Sequence, residues 1–488
     1  MRFISTRGKS PAVQAPEAVL AGIAPDGGLY SPAQLPALDW QALPADYPAL
    51  AGEVFARLLP GFPPETLADI ARAAYGGLFD SPEAAPAVPV GDAFVLELFH
   101  GPTAAFKDLA LCVLPRLMAF ARDRLAPGRR ILILTATSGD TGSAAMAGFR
   151  DLPGTRVAVF YPEAGISPVQ RAQMRRMPGN NLAAYAIRGD FDAAQAGVKA
   201  AFAQAGEAGL PERLLLSSAN SINIGRLVPQ VVYYISAYKA LLRRGALRAG
   251  ESLHVIVPSG NFGDILAAYL AKRMGLPLGK LVCASNQNRV LTDFLATGRY
   301  DRRRPLRLSC SPSMDILVSS NVERLVHLIS GGDSALTARL MQELDEAGCY
   351  QLPPDILRRI QADFLAVSAS EEDTLAAVRQ AWEAQRYLLD PHAAVAWHAY
   401  LQLKRRLPPG RVLVAATASP FKFPGTVLGA LGEAGAPEGL SAMRMLSVKT
   451  GLPLPRALAW LTGSGDLRDQ LIDPAGIPAA AFQEALTW

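Results

Sequence analysis

Short apolar runs of strand length recur from about residue 90 onward, each leading through a turn into a helical run. Arg130-Ile131-Leu132-Ile133-Leu134 leads into Ser138-Gly139-Asp140-Thr141-Gly142 and then an alanine-rich helical segment. His254-Val255-Ile256-Val257 leads into Pro258-Ser259-Gly260-Asn261-Phe262-Gly263-Asp264, after which Ile265, Leu266, Tyr269 and Leu270 fall on one helical face. Residues 157–161 and 182–187 are further strand candidates, and the run 412–416 closes with Thr417-Ala418-Ser419-Pro420. Strands alternating with helices predict an α/β fold with open, mostly parallel sheets.

The first ninety residues differ. They are rich in proline and alanine and read as short helices joined by turns such as Ala24-Pro25-Asp26-Gly27-Gly28-Leu29. Pro82, Pro86 and Pro89 mark a boundary near residue 90. The stretch 333–385 is helix-rich with one polar face and reads as an insertion or cap.

Of the 488 residues, 50% are hydrophobic and 19% charged, which supports a substantial core and excludes wholesale disorder. The net charge of +5 suits an anionic small ligand. The basic clusters 302–304 and 404–406 lack interleaved aromatic residues, so no nucleic-acid partner is expected. The four cysteines form no CxxC pair and read as free thiols in a reducing compartment. The five histidines show no metal-binding spacing, so no metal is expected. The first residues lack a signal-peptide apolar region, and no apolar run has the length of a membrane span. A cytoplasmic protein is the expectation.

The chemistry concentrates at the turns. Lys107 lies in His100-Gly101-Pro102-Thr103-Ala104-Ala105-Phe106-Lys107-Asp108, between the apolar run 94–99 and the helix-like run 109–120. A lysine among apolar groups is costly to keep charged, and desolvation makes its amine a usable nucleophile or base. A snorkelling lysine at a helix start reads the same way. Gly260 and Gly263 let the backbone approach an anion just before a helix with unpaired N–H groups, or they make an ordinary strand-to-helix turn. Ser138, Gly139, Asp140 and Thr141 hold the equivalent place after an earlier strand and offer hydroxyls and amides to a carboxylate or phosphate. Asp140 also suits a helix cap. Thr417 ends the last apolar strand, as a ligand contact or a turn cap. Ligands in open α/β sheets bind beyond the carboxyl ends of strands, so these motifs are expected around one crevice.

Together with Arg2-Phe3-Ile4-Ser5-Thr6-Arg7-Gly8, Ile166-Ser167-Pro168, Asn220-Ser221-Ile222-Asn223 with Arg226, and Ser311 to Asn321 with Glu323-Arg324, these segments are similar to the threonine synthase family in its longer bacterial and fungal branch. The resemblance runs in order over most of the chain. It implies a type II pyridoxal-phosphate fold: an N-terminal domain over 1–90, a large cofactor domain from 91–125 and 226–488 carrying the insertion, and a smaller α/β domain over 126–225. It implies pyridoxal 5'-phosphate bonded to Lys107, with Gly260, Asn261, Phe262 and Gly263 around the cofactor phosphate and Thr417 facing the ring nitrogen. Ser138, Gly139, Asp140 and Thr141 would lie at the substrate carboxylate and ring face, and Ser221, Asn223 and Arg226 at the substrate phosphate. The implied reaction turns O-phospho-L-homoserine and water into L-threonine and phosphate, in a monomer or homodimer with no membrane partner. A phospholyase yielding 2-oxobutyrate and ammonia, a silent homologue kept for partner binding, and a phosphate-ligand protein without pyridoxal chemistry share parts of the pattern. One departure stands out. Family members often read Thr-Ala-His-Pro-Ala-Lys-Phe where this chain reads Thr417-Ala418-Ser419-Pro420-Phe421-Lys422-Phe423.

Overall fold

Four strands rich in apolar residues lie side by side. Strand Leu253–Pro258 pairs in parallel with Arg411–Ala416 on one side and Leu278–Ser285 on the other, and Arg411–Ala416 pairs in parallel with Ala93–Glu97. Phe364–Ser368 and Ala87–Val90 form the edges of this six-stranded sheet, the latter antiparallel to its neighbour. The computed structural model describes residues 2–208, 213–433, 435–462 and 470–486. Every residue of Leu253–Pro258 is buried, because both faces of the sheet are covered. Val255 and Val257 join the core shared with helices Ile224–Arg243 and Gly263–Arg273, while Ile256 joins the core against helix Pro391–Leu403.

A second, five-stranded sheet is parallel throughout, in the order 471–472, 182–187, 155–162, 130–136, 214–217. Helix Asp140–Phe149 follows its strand Arg130–Ala136 directly. Helix Pro168–Arg176 is started by a capping box, in which the Ser167 hydroxyl accepts from the Gln170 amide and the Gln170 side chain accepts from the Ser167 amide.

The α/β architecture with two open, mostly parallel sheets and a mainly helical N-terminal extension is as expected, and three boundaries differ. The large sheet begins at Ala87, not after residue 90, because Ala87–Val90 and Ala93–Glu97 form a hairpin. Pro89 is tolerated there since an edge strand can spare an N–H. The stretch 333–385 is not wholly an insertion, since it supplies the edge strand Phe364–Ser368. The end of the chain leaves the large domain. Leu471–Ile472 extends the small sheet, and helix Ile477–Leu486 packs on it, with the Tyr185 hydroxyl donating to Glu484 Oε1 at 2.6 Å.

The N-terminal segment is tied to the region of the glycine loop. Arg324 is fully buried and donates to the Tyr30 carbonyl (3.0 Å) and Asn321 Oδ1 (2.6 Å). Arg7 pairs with Glu323 at 3.1 Å. Asn321 in turn donates from its backbone (3.2 Å) and its side chain (3.1 Å) to the Asn261 carbonyl. The opening residues therefore brace the glycine loop at 260–263.

Candidate active site

Strands Ala93–Glu97, Arg411–Ala416 and Leu253–Pro258 are adjacent and parallel, so the three motifs that follow them emerge at one end of the sheet. The lysine segment is zipped onto the threonine segment: the Phe106 amide donates to the Thr417 carbonyl (2.8 Å) and the Ser419 amide to the Ala104 carbonyl (3.0 Å). Asp108 holds the bend before Lys107, accepting from the Thr103 amide (2.8 Å) and hydroxyl (2.6 Å). Thr417 is 6% exposed, and its hydroxyl has no hydrogen-bond partner among the described residues.

The glycine loop is built as an anion cradle. The amides of Gly260, Asn261, Phe262 and Gly263 have no acceptor among the described residues, and they precede helix Gly263–Arg273. Phe262 takes the left-handed conformation, with φ 62°. A Cβ at Gly260 would lie 2.6 Å from the Ser313 carbonyl oxygen, so only glycine fits there.

A second set of free donors comes from the small domain. The amides of Ser138, Asp140 and Thr141 lack acceptors among the described residues, at the start of helix Asp140–Phe149. Gly139 acts differently from its expected role. Its amide is used by Thr137 Oγ1 (3.0 Å), and its φ of 124° sets the turn. The Asp140 side chain is the hub of a buried charge array. Its Oδ1 lies 2.7 Å from Lys422 Nζ and accepts from Gln170 Nε2 at 2.7 Å; its Oδ2 lies 3.6 Å from Lys107 Nζ and accepts from the Ser313 hydroxyl at 3.4 Å. Burial would raise the Asp140 carboxyl, but Lys422, Lys107 and His392 outweigh it and hold the group well below the usual carboxylate range. Its side chain cannot also serve a substrate carboxylate, so only the Asp140 amide is a candidate donor.

Burial pushes the Lys107 ammonium down to about 8, Asp140 opposes this, and the positive charges of Arg226 and Lys422 add to it. Arg226 stands in the first turn of helix Ile224–Arg243, with Nη1 donating to the Ala219 carbonyl (2.6 Å) and Nε buried without a partner among the described residues. Among the described residues no carboxylate pairs with Arg226, and burial lowers it to about 10. Ser221 lies half-buried on the preceding turn. Asn223 is corrected: it is fully buried, capping the helix through Gly225 N (2.9 Å) and donating to the Val19 carbonyl (2.9 Å), so it supports the site without lining it.

Sequence reasoning missed Lys422, His392 and Asp264. Lys422 stands in the last motif, where only the threonine and the altered histidine position were read. His392 receives the Ser313 amide at Nε2 (3.2 Å) and meets Asp390 at Nδ1 (2.6 Å). Asp264 accepts both the Tyr233 and Tyr234 hydroxyls on Oδ1 (2.5 Å each), while Oδ2 is buried and unpartnered; burial pushes its carboxyl up to about 6. Ser419, the departure from the family motif, is 1% exposed and caps the next turn by accepting from the Phe421 amide (3.3 Å). Among the described residues no helix is long and apolar enough to cross a membrane, and no cluster suits a metal ion.

Residues 78–418 match the family described as pyridoxal-phosphate dependent enzyme, and residues 2–75 match the threonine synthase N terminus. Threonine synthase of Pseudomonas aeruginosa is 39% identical over 439 residues, covering 88% of this chain and 90% of the relative. Threonine synthase-like 1 of Homo sapiens is 41% identical over 432 residues, covering 85% of this chain. The alignment spans only 58% of the length of that longer relative. Among solved structures, PLP-bound threonine synthase from Brucella melitensis superposes with a TM-score of 0.85 at 35% identity over 99% of each chain. Yeast threonine synthase gives 0.87 at 32% identity, over 100% of this chain and 99% of that one. With this coverage, and with the lysine segment, glycine loop and terminal threonine at one end of one sheet, the chain belongs to the threonine synthase family of pyridoxal-phosphate dependent enzymes.

Proposed function

We propose that the chain converts O-phospho-L-homoserine and water to L-threonine and phosphate, using pyridoxal 5'-phosphate. The observation that carries this reading is that Lys107 lies 3.6 Å from Asp140, whose partner Ser313 packs on Gly260, so the lysine and two groups of amides without acceptors among the described residues, one from each sheet, belong to one region of a chain that aligns with threonine synthases over most of its length. The residues fit the cofactor. Four free amides at 260–263 suit a phosphate, Gly260 leaves no space to anything larger, and Thr417 carries a free hydroxyl where a neutral ring contact is wanted. Lys107, held to about 8, is the amine to bond it. All four cysteines are free thiols, which supports a reducing compartment such as the cytoplasm.

Bound pyridoxal phosphate withdraws electrons from an attached amino acid, making its Cα and Cβ protons acidic and letting a γ-phosphate depart. The chain's residues then have distinct tasks. The Lys107 amine takes the proton from the substrate Cα and returns protons on the same face. Arg226, which has no carboxylate partner among the described residues, attracts the substrate phosphate together with Ser221 and steadies its charge as it leaves. The amides of Ser138, Asp140 and Thr141 orient the substrate carboxylate. Thr417 would offer the ring nitrogen a neutral hydroxyl in place of a carboxylate, which would not drive that nitrogen to take a proton.

The test is incubation of the purified protein with O-phospho-L-homoserine, followed by assay of threonine, 2-oxobutyrate and phosphate in one sample. Threonine and phosphate in equal amounts are expected. Oxobutyrate with little threonine would make the chain a phospholyase, and no phosphate release at all would remove the enzyme reading.

A further inference from the structure

Two lysines, not one, flank Asp140. Lys422 is fully buried, with Nζ 2.7 Å from Asp140 Oδ1 and donating to the Thr103 carbonyl at 2.9 Å. Lys107 stands 3.6 Å from the other carboxylate oxygen, and its side chain keeps 12% of its surface. The carboxylate is thus shared unequally: the closer contact and the hydrogen bond go to Lys422. This matters because a buried carboxylate beside one lysine stabilises that lysine's ammonium, and an ammonium has no lone pair with which to attack.

We propose that Lys422 is a positioning residue: by engaging Asp140 it keeps the carboxylate from fully pairing with Lys107, and so leaves the Lys107 amine free to bond the cofactor aldehyde. The inference rests on the reading of Lys107 as the cofactor lysine. In that step the neutral amine adds to the aldehyde carbon, a C=N bond replaces C=O, and the oxygen leaves with two protons as water. The titratable and charged groups facing this array are Asp108 beside Lys107, Asp140 on helix Asp140–Phe149, Arg226 on helix Ile224–Arg243, Asp264 on helix Gly263–Arg273, His392 on helix Pro391–Leu403 and Lys422 on the turn after Arg411–Ala416. Of these, Lys422 is the only cation within hydrogen-bond distance of Asp140 among the described residues.

Lys422 is also excluded as the cofactor lysine. It has no exposed surface, and its ammonium is tied to Asp140 and the Thr103 carbonyl. The geometry therefore separates a working lysine from a supporting one.

The experiment loads the apoenzyme with pyridoxal phosphate at a series of pH values, reads the visible absorbance of the C=N bond, and fixes that bond with borohydride. Lys422→Gln keeps a donor for the Thr103 carbonyl but removes the charge. It should move the midpoint of C=N formation upward by about one pH unit or more, since Asp140 then turns wholly to Lys107. Lys422→Arg should stay near the parent, and the double variant Lys422→Gln, Asp140→Asn should lose the upward shift. Lys422→Met serves where the glutamine variant does not fold. A folded Lys422→Gln with the parent's midpoint overturns the proposal, as does a double variant that keeps the full upward shift. Lys107→Ala should leave nothing for borohydride to fix; fixation in that variant would instead overturn the assignment of Lys107 itself.

Discussion

Gly260→Ala should separate cofactor binding from folding. The added Cβ would sit 2.6 Å from the Ser313 carbonyl oxygen and 3.4 Å from Met314 Cα, both backbone atoms. Ser313 cannot easily retreat. Its amide donates to His392 Nε2 (3.2 Å), and the segment is pinned by Asp315, which accepts from Asn286 (2.8 Å), Asn288 (2.9 Å) and the Ser309 hydroxyl (2.7 Å). The glycine loop must therefore move, and its free side is the one its amides face. Gly260 does not have a positive φ, so the substitution adds no backbone strain of its own. Overpacking of this kind costs the apoprotein about 1–3 kcal/mol. Cofactor binding should suffer more. Misaligning two charge-assisted hydrogen bonds at ~1.5–3 kcal/mol each removes about 3–6 kcal/mol. That corresponds to roughly a hundredfold to ten-thousandfold in Kd. The assay is equilibrium binding of pyridoxal phosphate, run beside thermal unfolding of the apoprotein. A variant that melts earlier but binds the cofactor within about threefold of the parent, a loss of under 1 kcal/mol, would show that the loop does not hold the phosphate.

Lys107→Ala should abolish threonine formation while the circular dichroism spectrum stays that of the parent; substantial turnover would remove Lys107 from the chemistry. Thr417→Asp puts an anion where a neutral hydroxyl stands, and should protonate the ring nitrogen and shift products toward racemisation or transamination, read from product distribution and visible spectrum. Thr417→Val should cost only about 0.5–1.5 kcal/mol of cofactor binding, the worth of one neutral hydrogen bond. Asp264 tests the burial argument by pH. Its carboxyl is pushed up to about 6 in the folded chain, so between about pH 4 and 6 the unfolded chain ionises first and stability falls as pH rises. Asp264→Asn should remove about 3 kcal/mol of that slope in urea unfolding of the apoprotein, and an unchanged slope would mean that the carboxyl ionises normally.

The strands that build the crevice were legible because strands covered on both faces leave unbroken apolar runs, as 255–257 and 412–416 show. Their loops were legible because close backbone approach needs glycine, as at Gly260. Other elements leave weaker marks. Leu471–Ile472 is a two-residue strand, too short for any pattern, and it stabilises itself only by lying beside 186–187. Phe364–Ser368 does open with the apolar run Phe364-Leu365-Ala366-Val367, but it stands between helices Pro354–Asp363 and Glu371–Gln385, so a short run there reads as part of the helical stretch. Asn223 illustrates a different ambiguity. A polar residue at a helix start can cap the helix or face a ligand, and composition cannot separate the two; only its burial and its bonds to Val19 and Gly225 do.

The charge array shows where motif reading reaches its limit. The Lys107 segment marks its lysine as the candidate amine, yet neither it nor the Lys422 segment shows what keeps that amine free of a proton. That depends on how one carboxylate is divided. With Asp140 and Lys107 alone, the buried pair would hold the lysine protonated, and a buried ion pair is a poor place for a nucleophile. With Lys422 added, the array carries one more positive charge than negative, and the lysine with no solvent takes the closer contact, 2.7 Å against 3.6 Å. The surplus falls on Lys107, the lysine that retains some exposure and lies within the field of Arg226. The amine is therefore made available by three side chains brought from distant parts of the chain, and its reactivity is a property of their spacing and not of the lysine motif alone.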